Sequence, residues 1–302
     1  MAFSRAQELK ELVPGLNAIF GIEYNRYDNE HTQIFDTEKS DRAFEEEVLF
    51  TGFGAAPTKQ EGANVQYDEA AESWVARYSH ETIALAFAIT EEAMEDNLYD
   101  KLAPRLTKML ARSMAHTKQV KGANVLNNAF SASFLGGDGV ALCATNHPLY
   151  GGGTLANRPS TDADLSETSL EDATIAIEGW TDDRGIPQAI KVKKLIIPRQ
   201  LKYVAERLLE SDLRVSTADN DLNALKSMRA VPEGFVINHR LTDSDAWFLK
   251  TDAPDGMKHF QRVGMQTKME GDFESGNVRY KSRERYVFGW SDYRGLWGTS
   301  GA

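Results

Sequence analysis

Apolar and polar positions change period several times along the chain, and each change predicts an element. Residues 1–45 mix helix formers with polar turns at Pro14, Gly15, Asp28, Asn29 and Glu30. With no sustained apolar period, they read as an extended arm with a short helix near its start. Residues 48–53 form a brief strand, followed by Gly54, Pro57, Gly62 and Asn64. A long alternating stretch then runs over 65–90. Trp74, Ala76 and Tyr78 share one side, Arg77, Ser79 and Glu81 the other, and Ile83, Leu85, Phe87 and Ile89 carry the odd-numbered face into an apolar run. This predicts two long strands of a hairpin-like excursion, buried only toward its end.

Thr90 is a suitable N-cap, and Glu91, Glu92 and Glu95 suit the positive end of a helix dipole. Met94, Leu98, Leu102, Leu106 and Leu110 recur every four residues, with Met109 and Met114 widening the stripe. One helix should reach about Lys121 or beyond, kinked at Pro104, with a further helical piece over 123–130. Residues 136–159 are loop-rich and mark the clearest internal boundary. After them, Thr168 with Glu171 has the capping-box pattern, and Leu170, Ala173, Ile177 and Trp180 give a helix face. Residues 190–197 read as a strand, and Pro198 opens a helix carrying Leu201, Val204, Leu208 and Leu209. Helix, strand, helix is an α/β region. Short strands follow at 235–238 and 246–249.

The end returns to β structure: 264–271 and 277–290 flank the turn 273–276 as an antiparallel pair, and the tail 298–302 reads as disordered. Within the second strand Arg279, Lys281, Arg283 and Arg285 alternate with Val278, Tyr280, Ser282, Glu284 and Tyr286. Four cations therefore line one face. Intersubunit salt bridges, a merely solvated face and nucleic-acid contact are all compatible with that pattern.

A length of 302 residues fits one large domain or two joined ones. The longest unbroken apolar run, 83–89, is far below the ~18 residues that span a bilayer. Residues 1–10 carry charges where a signal peptide is apolar, so a cytoplasmic setting is expected. Cys143 is the only cysteine, which excludes an intrachain disulfide and a cysteine-based zinc site within one subunit. It reads as a small buried hydrophobe. The net charge of −11 has the wrong sign for a protein that wraps phosphate backbones. Its distribution is uneven: residues 1–50 hold 5 basic and 11 acidic residues, whereas 258–302 hold 8 and 5. An acidic beginning and a basic end invite contact between copies.

Enzyme signatures fail at positions their chemistry requires. His80-Glu81 begins H-E-x-x-H, but residue 84 is Ala and the segment alternates as a strand. Asp219, Asp221 and Asn223 begin like a calcium loop, yet Ala224 replaces the glycine and Ala230 the bidentate acid. Phosphate cradles and nucleophile elbows have no sequence basis. His147, before Pro148, is the residue on which a hydrolase would have to be built. What remains is architectural, because a two-stranded excursion and a coreless arm both need a partner to be stable.

The order of these features resembles the major capsid (head) proteins of tailed bacteriophages, the group with the HK97 fold, and looks closest to the branch with Mu-like major head subunits. The residues carrying the resemblance are 51–54 (TGFG), 81–97 (ETIALAFAITEEAMEDN), 144–148 (ATNHP) and 280–295 (YKSRERYVFGWSDYRG). It implies an α+β fold with an N-terminal arm (1–45), an E-loop lying across a neighbouring subunit (46–82), a P domain with its spine helix (83–135), an A domain of mixed α/β structure (136–260), and P-domain return strands with the tail (261–302).

The function so implied is a structural protein, not an enzyme. It would assemble through hexamers and pentamers into an icosahedral head around double-stranded DNA, with only weak, non-specific contact to it. A separate scaffolding protein, a portal and a decoration protein are the implied partners, and the virion the implied location. No catalytic, cofactor or metal residue is assigned. The residues expected at intersubunit contacts are Gly52, Phe53, Gly54, Lys59, Trp74, Arg77, Arg279, Lys281, Arg283 and Arg285. Three rivals remain: an encapsulin-like compartment shell, a cytoplasmic hydrolase using His147, and a non-assembling phage structural or adaptor protein.

Overall fold

A computed structural model describes residues 5–62, 64–90, 92–93, 99–214, 221–272 and 276–302. In chain order its elements are α1 (Arg5–Tyr24), a 3-10 turn (Glu30–Gln33), β1 (Asp36–Lys39), β2 (Phe44–Phe50), β3 (Glu72–Ser79), β4 (Glu81–Ile89) and α2 (Tyr99–Asn127). Then come β5 (His147–Pro148), β6 (Thr154–Leu155), α3 (Glu167–Glu178), β7 (Val192–Ile197), α4 (Lys202–Glu210) and α5 (Ala224–Ser227). The chain closes with β8 (Phe235–Ile237), β9 (Trp247–Thr251), β10 (Met257–Gly271), β11 (Val278–Trp290) and β12 (Leu296–Thr299).

Two four-stranded sheets organise these elements. The first has the order β1-β10-β11-β4, with β10 and β11 antiparallel from Met257↔Trp290 to Gly271↔Val278 and β4 antiparallel to β11. Helices α1 and α2 cover one of its faces, where Leu16, Phe20, Ala103, Leu110, Ala111, Ile89 and Tyr280 form a core. The second sheet, β12-β9-β7-β8, is packed by α3 and α4 through Leu170, Ala173, Ile177, Leu195, Ile197, Ala205 and Leu209. A third cluster ties the sheets together through Phe35, Leu126, Leu142, Ile196, Phe248 and Met257.

Several expectations need correction. The N-terminal arm is not extended and coreless: α1 spans 20 residues with Pro14 inside, and burial of Leu16 (4% exposed) and Phe20 (2%) compensates for its poor intrinsic propensity. The strands expected over 65–90 do not pair with each other. β3 pairs with β2, from Phe44↔Ser79 to Phe50↔Glu72, and β4 departs to β11. The brief strand lies at 44–50 rather than 48–53.

Helix α2 runs unbroken through Gly122 to Asn127, so the separate piece over 123–130 does not exist. A side chain at 122 would press on His31 Cβ at 3.3 Å and on Phe288. The start expected over 91–98 falls largely outside the described residues, although Thr90 Oγ1 does accept from Ala93 N–H at 3.4 Å. The cap of α3 is Ser166 with Ser169, not Thr168 with Glu171. β10 begins at Met257, so a boundary at 260 falls inside it. The tail is ordered: β12 pairs with β9, and Ala302 N–H reaches Asp164 Oδ1 at 2.9 Å. The turn expected at 273–276 and Asp219 lie at or in segments outside the described residues.

Candidate assembly surfaces

The β2–β3 hairpin ends in residues 51–71. Its neck is closed by Thr51 N–H to Ala71 O (2.8 Å) and Ala71 N–H to Thr51 Oγ1 (2.9 Å). Beyond it, Asp68 accepts from Gly54 N–H at 2.7 Å and from Arg184 Nη1 at 2.7 and 2.9 Å, while Arg184 Nη2 donates to Glu69 O. The guanidinium, aided by Gly54, holds the Asp68 carboxyl below its usual range. Residues 55–62 and 64–70 are exposed, with Phe53, Val65 and Tyr67 showing large apolar surface.

Of the residues expected at contacts, Phe53 and Lys59 are open to solvent. Gly52 lies against its own chain, where a Cβ would sit 3.0 Å from Asp182 Oδ2. Trp74 is half-buried on Tyr293 with ring centroids 5.9 Å apart. Arg77 pairs with Glu46 at 3.6 Å and covers the Phe44 ring at 4.3 Å.

Strand β11 presents two unlike faces because successive side chains point to opposite sides. On the covered face Tyr280, Ser282, Glu284 and Tyr286 are all buried. Glu284 meets Lys118 of α2 at 3.5 Å and accepts from the Tyr24 hydroxyl of α1, so one carboxylate ties the sheet, α2 and α1 together. Nearby, His31 and His259 stand edge to face at 5.3 Å, with His259 Nδ1 on Thr37 Oγ1 at 3.1 Å. Burial, with Lys118 adding to it, pulls His31 down to about 4 and His259 to about 3.

On the other face Arg279, Lys281 and Arg283 are exposed beside Ala88, Ala86 and Ala84 of β4, with which they are in register. Gln266, Lys268 and Glu270 of β10 flank them. Arg279 pairs with Asp272 at 2.6 Å. Arg285 departs from the expected ladder: it is half-buried, and its Nε has no hydrogen-bond partner among the described residues.

His147 is fully buried. Its Nδ1 faces Asp138 Oδ2 at 2.6 Å, its Nε2 faces Asn157 Oδ1 at 3.0 Å, and its ring stacks on Tyr293 at 3.8 Å. Asn157 also donates to the carbonyls of Leu142, Tyr293 and Leu296. Both ring nitrogens are therefore engaged in joining the 136–159 loop to the C-terminal segment, and among the described residues no hydroxyl or thiol bonds to either. Cys143 is buried, and burial pushes its thiol up. Among the described residues no group of three or more His, Cys, Asp or Glu could hold a metal ion.

The family model described as phage capsid protein matches residues 74–298, roughly three quarters of the chain. The chain belongs to the phage capsid protein family. No curated protein matches the capsid protein by sequence. Its architecture is similar to the procapsid of bacteriophage JBD30, with TM-score 0.54 at 14% identity, covering 99% of this chain and 77% of that one. It is likewise similar to the capsid of a native GTA particle (0.54, 12% identity, covering 91% and 92%) and to a virus-like particle from Pyrococcus furiosus (0.53, 9%, covering 94% and 97%). At such identities the likeness speaks for the fold, an α+β capsid fold of the HK97 type.

Sequence reasoning missed several residues that shape these surfaces in the capsid protein. Arg184 and Asp68 are 116 positions apart, and Arg294 is buried with Asp183 at 3.0 Å and Asp292 at 3.3 Å. Burial pushes the Asp292 carboxyl up, against the pull of Arg294. The only local signal was the D-D-R-G turn at 182–185, which marks a turn but not what the turn grips.

Proposed function

We propose that this chain is the major head subunit of a tailed bacteriophage, assembling through hexamers and pentamers into an icosahedral shell around double-stranded DNA. The family match over 74–298 carries this reading. Within it, residues 1–45 serve as the N-terminal arm, 46–82 as the E-loop, 83–135 and 261–302 as the P domain and 136–260 as the A domain. The strings at 51–54, 81–97, 144–148 and 280–295 favour the Mu-like branch. The role is structural, without catalysis, and the location is the virion after assembly in the host cytoplasm. A scaffolding protein, a portal and a decoration protein would be its partners.

The exposed loop tip and the Arg279, Lys281 and Arg283 face are surfaces that one subunit leaves uncovered, and both fit contact with neighbouring copies. The loop carries Glu61, Asp68 and Glu69 against the single cation Lys59, so its charge opposes that of the sheet face. A net charge of −11 suits a container whose wall must release its DNA.

Replacing residues 51–70 with a short Gly-Ser turn is expected to leave a folded, soluble subunit that forms no closed shell in electron micrographs. Normal shells from that variant would defeat the loop assignment. Particles holding copurified protein cargo and no nucleic acid would favour a compartment shell. Small oligomers at every concentration would favour an adaptor.

A further inference from the structure

The turn over 181–187 is built more rigidly than a surface turn requires. Asp182 Oδ1 accepts from Arg184 N–H and Ile186 N–H, both at 2.8 Å, and Asp182 N–H closes on Ile186 O at 2.8 Å. Gly185 supplies the positive φ of 81° that lets the backbone reverse. The next residue, Asp183, is locked beneath by Arg294 at 3.0 Å, with only 3% and 2% of the two side chains exposed. A buried charge pair of this kind tolerates little movement of either partner, because a displaced charge would be left unpaired away from water.

Arg184 projects from this anchored turn onto the exposed hairpin. It grips Asp68 with Nη1 and Glu69 O with Nη2, so it holds one strand of the loop neck, while Asp68 holds Gly54 on the other. Gly52 passes so close to Asp182 that a Cβ would stand at 3.0 Å. On the return strand Trp74 rests on Tyr293, which neighbours Arg294 in sequence and lies under its guanidinium at 4.9 Å. Both limbs of the neck are thus fixed to one anchored unit, whereas the tip beyond it is exposed.

We propose that the 181–187 turn is a bracket that sets the direction in which the 52–70 loop leaves its own subunit, with Arg184 as the positioning residue. This rests on the reading of that loop as an arm to a neighbour. A loop aimed before contact loses less conformational freedom on docking than a freely swinging one, so the bracket raises the rate and yield of assembly. Its target is a second copy of this chain.

The test is amide hydrogen exchange on the unassembled full chain, with assembly followed in parallel by light scattering. Arg184→Ala should speed exchange at Gly54 and over 68–71 by roughly fivefold, the scale of losing one charge-assisted contact. The thermal midpoint should stay in place and assembly should slow. Arg184→Glu should do the same, and adding Asp68→Lys should restore part of the assembly rate, which a merely structural role for Arg184 would not produce. Unchanged exchange in Arg184→Ala overturns the bracket, as does faster exchange with unaltered assembly. Normal assembly of a chain lacking 51–70 would instead overturn the reading of the loop as an intersubunit arm, whatever the exchange shows.

Discussion

The two faces of β11 carry charge for opposite purposes. On the covered face Glu284 is 1% exposed and is held by Lys118 and Tyr24, so its charge is spent inside the subunit, joining α1, α2 and the sheet. Across the same strand, one residue away, Arg283 is exposed above Ala84 and no ion pair is seen for it among the described residues. Lys281 stands likewise over Ala86. Strand periodicity delivers both arrangements from one sequence of alternating residues. The difference is where the counter-charge comes from: the covered face brings its own, and the open face pairs Arg279 with Asp272 but, among the described residues, no carboxylate with Lys281 or Arg283, which on the proposed reading a second copy would supply.

The sharpest way to break this contrast is to unpair the covered face. Glu284→Ala leaves Lys118 buried without its carboxylate and should destabilise the subunit by about 3–5 kcal/mol in urea titration, as uncompensated buried charges do. A loss under about 1 kcal/mol would mean that the pair is solvated in solution.

Acid should act on the same face. The folded pKa values of His31 and His259, about 4 and about 3, lie below the ordinary 6.5, so the unfolded chain takes up protons first as pH falls. Their contribution is complete above pH 6.5 and is lost as pH drops toward 4 and 3. Each histidine should account for roughly 3 kcal/mol of the loss by pH 4. The variant His31→Gln/His259→Gln should show a correspondingly flatter stability profile between pH 6.5 and 4. An unchanged profile would place the acid sensitivity elsewhere.

The open face should behave in the opposite way. Lys281→Glu and Arg283→Glu should change unfolding free energy by no more than about 0.5 kcal/mol each, the usual range for surface substitutions, while shell yield collapses. Equal damage to folding and assembly would sharpen the comparison against us, by showing that the face serves the subunit itself. Raising salt from about 0.1 to about 1 M should weaken assembly of the unaltered chain in the same direction, since screening shortens from about 10 to about 3 Å.

Alternation along 278–286 was legible in the sequence, as was the side on which Ala76 and Tyr78 are buried, because period two is a local property. Partnership was not. Nothing near Ile83 says that it lies opposite Glu284, about two hundred residues later, so β4 was paired with the wrong strand. Leu16 and Phe20 stand one helical turn apart, but Pro14, Gly15 and Gly21 obscure the helix until α2 supplies a surface to bury against. For the site, the exposed cations could be read from the strand pattern, whereas the grip of Arg184 on Asp68 could not, since it depends on where two remote turns meet. Arg285 shows the limit of the pattern even locally: it has the right parity but is half-buried near His80, whose pKa burial lowers, with the charge of Arg285 adding to it.

The central claim is that β11 folds the subunit with one face and joins subunits with the other. Cryo-electron microscopy of the assembled particle tests it directly. The account predicts density from a neighbouring copy over Arg279, Lys281 and Arg283, with acidic side chains within ion-pair distance of Lys281 and Arg283. A finished shell in which that face remains bare to solvent would contradict it.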